Sequence, residues 1–358
     1  MKFCEECFSN IEIRSIIKNT DMLDNCDFNS EHKNVFVCDI DTGKNIESIK
    51  DILRQIIDIY TPDEELSKEY PHAKKDLLQN SLEKKWSLFN LDSEEIYNLL
   101  EKLFKNDSEI DKRLFSGLVG VKEEIELDNS KLIVNRNNWT EFVESIKFEN
   151  RFHTKTINLE VLEHFLKYTE NTIMPNEFPL YRCRVSNVES LCKEQMSAPP
   201  KEIATAGRLN AEWISTLYLS DNQDACVQEV RAGFHDCVYI GEFEIDEPIK
   251  VADLRNFEDI TLDPAGEYLV EYYLNRNTLM KISNEFARPA NNSYKGIHYL
   301  PLQYISDFIK SSPIGFNGIM YKSVMNNNSV NLVLFDPKIA KCISVRKKIV
   351  TEVDYKLN

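Results

Sequence analysis

No apolar run in the chain approaches the ~18 residues that a membrane-crossing helix needs, so a membrane-spanning protein is not expected. The opening residues, Met1-Lys2-Phe3-Cys4, lead straight into charge, and a secretory signal is not expected either. Low-complexity tracts and internal repeats are lacking as well. Basic residues are in the minority: 43 Lys and Arg stand against 59 Asp and Glu, a formal net charge of −16. That balance argues against broad, non-specific binding to nucleic acid or to an anionic membrane, while leaving room for one local basic pocket. Nine cysteines is an odd number, and without an export signal free thiols in a reducing cytoplasm are expected, some of them on metal.

What is present describes an ordinary globular protein, 42% hydrophobic and 28% charged. A length of 358 residues exceeds one typical core, which points to two domains and a small third. The divisions expected are a Cys-rich knuckle over 1–42, a mainly helical domain and connector over 43–150, a mixed domain over 151–345 with its core at 175–340, and a tail over 346–358.

In the first segment Cys4 and Cys7 form a C-x2-C pair, and Cys26 follows after 18 intervening residues. Four thiolate or imidazole ligands suit tetrahedral zinc. A second C-x2-C is missing, because Asn29 stands three residues after Cys26. Cys4, Cys7, Cys26 and Cys38 are the expected ligands, with His32 the alternative to Cys38, against a reading as ordinary buried cysteines. From 43 to 110 the pattern is helical. Ile46, Ile49, Leu53, Ile56 and Ile57 recur at helical spacing until Thr61-Pro62, and a second helix opens at Asp92-Ser93 and buries Ile96, Leu99, Leu100, Leu103 and Phe104. No arginine is followed by a histidine at the short helical interval a HEPN-type nuclease needs, which argues against that activity. Further on, Lys131–Val134 looks strand-like, Trp139 opens a helix, and another helix covers about 158–171. His153 and His164 each lie alone beside apolar neighbours and are read as packing or surface residues.

The C-terminal half changes character. Strands are expected at 180–186, 214–219, 237–245, 317–324 and 330–335, with helices at 265–275 and 301–311 and a turn at Asn326–Asn328. This order describes an α+β fold with a bent sheet. Between Gly207 and Gly233 a polar turn runs into a strand, and the strand into a helix. Ser220 and Gln223 stand at capping-box spacing and Gly233 supplies a stop. On that helix Ala225, Cys226, Glu229 and Val230 share a face.

Four polar pieces interrupt the apolar strands: Tyr181-Arg182-Cys183-Arg184, Gly207-Arg208-Leu209-Asn210, Tyr218 with Glu229, and Tyr321-Lys322-Ser323. If they converge, two arginines clamp a diphosphate through forked hydrogen bonds. Tyrosines stack on a ring, and one carboxylate holds ribose hydroxyls and steadies positive charge at an anomeric carbon. That inventory suits cleavage of the nicotinamide–ribose bond of NAD. The nicotinamide of NAD is a cation that leaves neutral, so neither a general acid nor a metal is required. None of the six histidines lies in these pieces.

The same pieces, in this order, resemble the RES domain, named for its arginine, glutamate and serine positions. The resemblance covers about 175–340 and includes Tyr181-Arg182, GRLN at 207, LYLS at 217, QEV at 228, HYLPLQYISDFI at 298, GIMYKS at 318 and NLVLF at 331. The first half, with CEECF at 4, NNWTEF at 137 and NRF at 150, is similar to the zinc-knuckle and HEPN-like region fused to some RES domains. The resemblance implies an ADP-ribosyltransferase-like split, bent sheet around an NAD cleft. It implies a cytoplasmic toxin or defence effector that degrades NAD by hydrolysis or phosphorolysis and is opposed by an Xre-type antitoxin. Carried over by motif, Glu229, Arg182 and Ser323 are catalytic, and Arg182 and Arg208 bind the phosphates of NAD. Tyr181 and Tyr218 line the nicotinamide or ribose, with Ser323 beside them. Arg184 is a weaker candidate, and Leu209 stands where the family often has phenylalanine. ADP-ribosyl transfer to a macromolecule and a non-catalytic NAD-sensing module are the competing readings, and the N-terminal half is a candidate regulator in cis.

Overall fold

The computed structural model describes residues 1–86, 88–125, 128–257, 268–288, 295–323 and 329–353. The chain forms two compact units, Met1–Leu132 with Thr261–Arg276, and Ile133–Ile260 with Asn277–Asn358. The first run of the first unit thus ends at Leu132, and the chain returns to that unit over Thr261–Arg276. Among the described residues no helix is long and apolar enough to cross a membrane.

The first unit opens with strand β1 (Lys2–Cys4), helix α1 (Ile11–Lys18), β2 (Leu23–Asp24) and β3 (Val35–Asp39), the strands forming a small sheet in the order β1-β3-β2. Helix α2 (Ile46–Ile57) follows, burying Ile49, Leu53, Ile56 and Ile57 on one stripe, as its spacing predicts. Thr61–Pro62 is β4, which with β5 (Asp76–Leu77) and β6 (Leu118–Gly120) makes a second small sheet. Helices α3 (Leu78–Trp86), α4 (Ser93–Leu103) and α5 (Arg113–Ser116) complete the described run. At the start of α4 the Asp92 side chain accepts from the Glu95 amide while the Glu95 side chain accepts from the Asp92 amide. This reciprocal cap fixes the start that the sequence predicts.

The second unit begins with α6 (Trp139–Glu144) and α7 (Leu159–Leu166), then β7 (Glu170–Ile173). Three expectations change here. Lys131–Val134 is not a strand: Asn129–Lys131 is a 3-10 turn, and Val134 makes a single bridge to Ile157. The helix expected to reach 171 stops at Leu166, because 170–173 joins the sheet. His164 packs edge-on against Phe165 and Tyr168, the packing role expected of it, and His153 is exposed.

Strands β8 (Leu180–Val185), β9 (Leu217–Ser220), β10 (Cys237–Ile245), β11 (Ile249–Asp253), β12 (Gly318–Lys322), β13 (Val330–Leu334) and β14 (Ala340–Ile349) join β7 in one sheet, in the order β14-β10-β8-β9-β13-β12-β11-β7. Pairing is antiparallel throughout except between β11 and β12. Helices α8 (Gln223–Glu229) and α10 (Lys295–Ser311) belong to this unit, and α9 (Leu269–Ala287) enters it from Asn277 on. The sheet is almost divided. Strands β10 and β14 share nine residue pairs, whereas β8 and β9 meet only at Tyr181 and Ser220. Leu180, Leu217, Leu219, Phe243, Val251, Met320 and Leu332 form the core against it.

The sequence places some boundaries differently. β9 starts at Leu217, three residues after the predicted Ile214. β11 and β14 were not expected, and β14 continues through Ile349, so the sheet extends past 345 into the supposed tail. The first residues of the helix expected at 265–275 and the turn at Asn326–Asn328 lie outside the described residues, as does 354–358.

Candidate active site

Strand alternation sets the site. Leu217 and Leu219 are buried in the core on one face of β9, so Tyr218 and Ser220 point from the other. Register then aligns four side chains across four strands: Tyr181 pairs with Ser220, Ser220 with Asn331, and Asn331 with Tyr321. Strands β8 and β9 share only the pair Tyr181 and Ser220, and the consecutive β8 residues Tyr181, Arg182 and Cys183 all line the space beside it. A cavity of about 300 Å³ opens there, and Tyr181, Arg182, Cys183, Tyr218, Ser220, Cys226, Glu229, Tyr321 and Asn331 are among the residues lining it.

Helix α8 delivers the carboxylate. Its cap is Asn222, whose side chain accepts from the Ala225 amide; Ser220, the expected cap, is still in β9, where its hydroxyl donates to the Val330 carbonyl. The helix ends at Glu229 with Val230 as its C-cap, well before Gly233, and Arg231 takes up a left-handed backbone with φ 54°. Ala225 and Cys226 are buried, Glu229 is half-buried one turn later, and Val230 is exposed. The Glu229 Oε1 atom accepts from Ser323 Oγ at 3.1 Å and from Asn331 Nδ2 at 2.8 Å. Both donors are neutral, and no described cation bonds the carboxylate.

Arg182 is the other charged group of the cavity. Its Nη1 atom is buried with no hydrogen-bond partner, and loss of water pulls its pKa down to about 10. It therefore remains a cation at neutral pH, and among the described residues no carboxylate is paired with it. A buried charge of this kind is unfavourable until an anionic ligand compensates it. Tyr321 is buried, and burial together with the Glu229 charge pushes its phenol up to about 12, so it stays a neutral donor.

The turn Gly207–Asn210 braces the strand. Tyr218 donates its hydroxyl to Asn210 Oδ1 at 2.7 Å and accepts from the Leu209 amide at 3.0 Å. A Cβ at Gly207 would lie 2.4 Å from Asn210 Oδ1 and 2.8 Å from the Tyr218 hydroxyl, which is why glycine stands there. Gln303 on α10 donates to the Gly207 and Asn210 carbonyls.

Of the residues singled out by sequence, the structure brings Tyr181, Arg182, Tyr218 and Glu229 to one cavity, with Ser323 hydrogen-bonded to Glu229 at its edge. Arg208 stands behind the lining, not in it: its Nη1 donates to the Phe286 carbonyl at 2.6 Å, and its guanidinium lies 5.8 Å over the ring of the cavity residue Tyr321. Arg184 is exposed and donates to the Gln195 carbonyl. Tyr321 was noted only within the piece Tyr321-Lys322-Ser323, and Asn331 was given no role. The signal for Asn331 was present, a lone polar residue in an otherwise apolar strand. A larger cavity of about 630 Å³, lined by Glu170, Asp253, Arg255, Lys322 and Ser329 among others, shares none of the first cavity's lining residues, and its Arg255 and Asp253 are already paired.

The N-terminal cysteines form a separate cluster. Cys4 and Cys7 Sγ lie 3.5 Å apart, Cys7 and Cys26 Sγ 3.4 Å, and Cys4 Sγ stands 3.2 Å from His32 Nδ1. All four ligand atoms fall within 4.8 Å of one another. The thiol spacing approaches the edge of roughly 3.7 Å that follows from ~2.3 Å zinc–sulfur bonds in a tetrahedron. Without an ion, the crowded thiols oppose ionisation at Cys7, whose pKa its hydrogen bond with Cys26 pushes well up. The donor set therefore fits a metal ion. The expected ligand Cys38 is replaced by His32, and register gives the reason. Cys4 pairs with Val37 and Phe3 with Cys38, so the Cys38 side chain leaves the opposite face from Cys4. Its thiol faces the Asp39 and Lys44 carbonyls.

A family model described as the RES domain matches residues 179–358, half of the chain. No curated protein and no solved structure matches.

Proposed function

Since the chain belongs to the RES-domain family, we propose that it cleaves the nicotinamide–ribose bond of NAD, in the manner of a toxin or defence effector. The observation that carries the reading is the pairing of a carboxylate held by neutral donors, Glu229, with an unpartnered buried guanidinium nitrogen, Arg182, in one cavity. The near-division of the sheet at Tyr181 and Ser220 supports an ADP-ribosyltransferase-like split sheet around that cavity.

In this reading the diphosphate of NAD supplies the anion that Arg182 lacks, and the rings of Tyr181 and Tyr218 bound the nicotinamide ribose. The bond from the anomeric carbon to the nicotinamide nitrogen breaks with its electron pair going to nitrogen, so nicotinamide leaves neutral. Positive charge builds on the ribose, and Glu229, uncompensated by any described cation, stabilises it. An oxygen of water or of phosphate then bonds to the anomeric carbon, and water gives up its proton to solvent. Zinc held by Cys4, Cys7, Cys26 and His32 would fix the N-terminal fold and takes no part in this chemistry.

The test is to incubate the full-length protein with NAD, with and without inorganic phosphate, and to identify the products. Free nicotinamide with ADP-ribose indicates hydrolysis, and a phosphorylated ADP-ribose indicates phosphorolysis. Replacing Glu229 by Gln should lower the rate about 100- to 1000-fold. Undiminished NAD with wild-type protein, or full activity in Glu229→Gln, overturns the proposal. Label from the adenosine moiety retained on a macromolecule would favour ADP-ribosyl transfer.

A further inference from the structure

We propose that Asn331 is the positioning residue that aims the Glu229 carboxylate at the substrate while leaving its charge intact. The inference rests on the NAD-cleaving reading. Asn331 lies in β13 between β9 and β12, 6% exposed, among Val330, Leu332, Val333 and Leu334. A polar side chain in a central apolar strand is unfavourable unless hydrogen-bonded, and this one is. Its side chain donates to Glu229 Oε1 at 2.8 Å, and Tyr321 is its cross-strand partner. An ionised carboxylate only accepts hydrogen bonds, so the amide must turn its NH2 toward Glu229.

The geometry has two consequences. With Oε1 bound by Asn331 and Ser323, Oε2 has no described partner and is left for the ribose. A lysine or arginine in the place of Asn331 would hold the carboxylate as firmly but would neutralise the charge that must face the developing cation. An amide orients without neutralising. Ser323 alone does not suffice, because a single donor leaves the carboxylate free to turn about its last side-chain bond.

The experiment compares the full-length wild type with Asn331→Ala and Asn331→Asp, following nicotinamide release across pH together with thermal unfolding. Asn331→Ala should lower kcat about 10- to 100-fold with KM for NAD within about two-fold. In Asn331→Asp two carboxyl groups share the position, and they cannot both ionise at low pH. While the pair holds one proton, the new carboxyl donates to Glu229 as the amide did; when that proton leaves, the donor is lost and the charges repel. This variant should therefore keep near-wild-type kcat at acid pH and lose it as pH rises, a descending limb absent from the wild type. A purely structural asparagine gives no such limb. Unchanged kcat in Asn331→Ala, or an Asn331→Asp profile parallel to the wild type, overturns the proposal. Where Asn331→Ala unfolds, the Asn331→Asp profile decides. Failure of the wild type to release nicotinamide instead overturns the reading on which the inference rests.

Discussion

The hydroxyl of Tyr218 donates to Asn210 Oδ1 at 2.7 Å and at the same time accepts from the Leu209 amide, tying β9 to the turn that precedes it. The sequence presented Tyr218 as a ligand contact; it does line the cavity, and its hydroxyl is committed to two hydrogen bonds within the fold. Replacing Tyr218 by Phe keeps the ring and leaves the 5%-exposed Asn210 short of a partner. The loss should be about 1–3 kcal/mol of stability, seen in calorimetric unfolding, with KM for NAD changed by no more than about three-fold, since a difference of ~1.4 kcal/mol is needed for ten-fold. A large rise in KM with unchanged unfolding would show that the hydroxyl serves the ligand.

Arg182 should behave in the opposite sense. Its Nη1 atom is buried and unbonded, and its pKa is drawn down to about 10 by loss of water. Such a group costs stability in the free protein and is useful only with an anion in place. Arg182→Met should unfold at the same temperature as the wild type or higher, while KM for NAD rises roughly 10- to 100-fold, the loss of a charge-assisted hydrogen bond. Equal KM in the two proteins would remove Arg182 from the binding site.

How far the sequence reveals these arrangements depends on whether the information is local. Helices α2 and α4 follow from apolar spacing and from the Asp92 cap, both local properties, and the structure keeps them. β14 was missed because Ala340–Ile349 is an edge strand with charged, exposed residues, so it lacks the apolar density that marks a strand. Asn222 displaced Ser220 as the cap of α8 because β9 extends through Ser220, and tertiary pairing overrode a local motif. Glu229, Tyr181 and Arg182 were legible as motif residues. That Arg182 is unpartnered was not, since a missing neighbour is a property of the folded chain. Asn331 was in view within its strand, but only the register across β9, β13 and β12 shows what it faces.

In the N-terminal unit, Arg54 on α2 reaches Asp107 after α4, with 2.7 Å between Nη2 and Oδ2. The hydrogen bond from Arg54 holds the Asp107 carboxyl below the usual carboxylate range. A depressed carboxyl contributes stability that is present above its unfolded pKa and lost as pH falls through its folded one. Asp107→Asn should cost about 1 kcal/mol at pH 7. The gap between variant and wild type should narrow below about pH 4, measured by urea unfolding at several pH values. A gap independent of pH would mean that the ion pair contributes nothing beyond its neutral hydrogen bond.

The N-terminal cluster makes the sharpest distinction between two residues that the sequence left as alternatives. His32 Nδ1 lies 3.2 Å from Cys4 Sγ, whereas the Cys38 thiol faces backbone carbonyls on the other side of β3. Purified protein should carry about one equivalent of zinc by elemental analysis, as four such ligands bind one ion. Cys38→Ser should retain it, and His32→Ala should lose it or release it to a weak chelator. Because the thiols must be deprotonated and the imidazole neutral to bind, acid should also release the metal, with protons taken up as it leaves. Apo protein should unfold at lower temperature, since an ion that binds only the folded chain adds its binding free energy to stability. Zinc lost from Cys38→Ser and kept by His32→Ala would reverse the assignment.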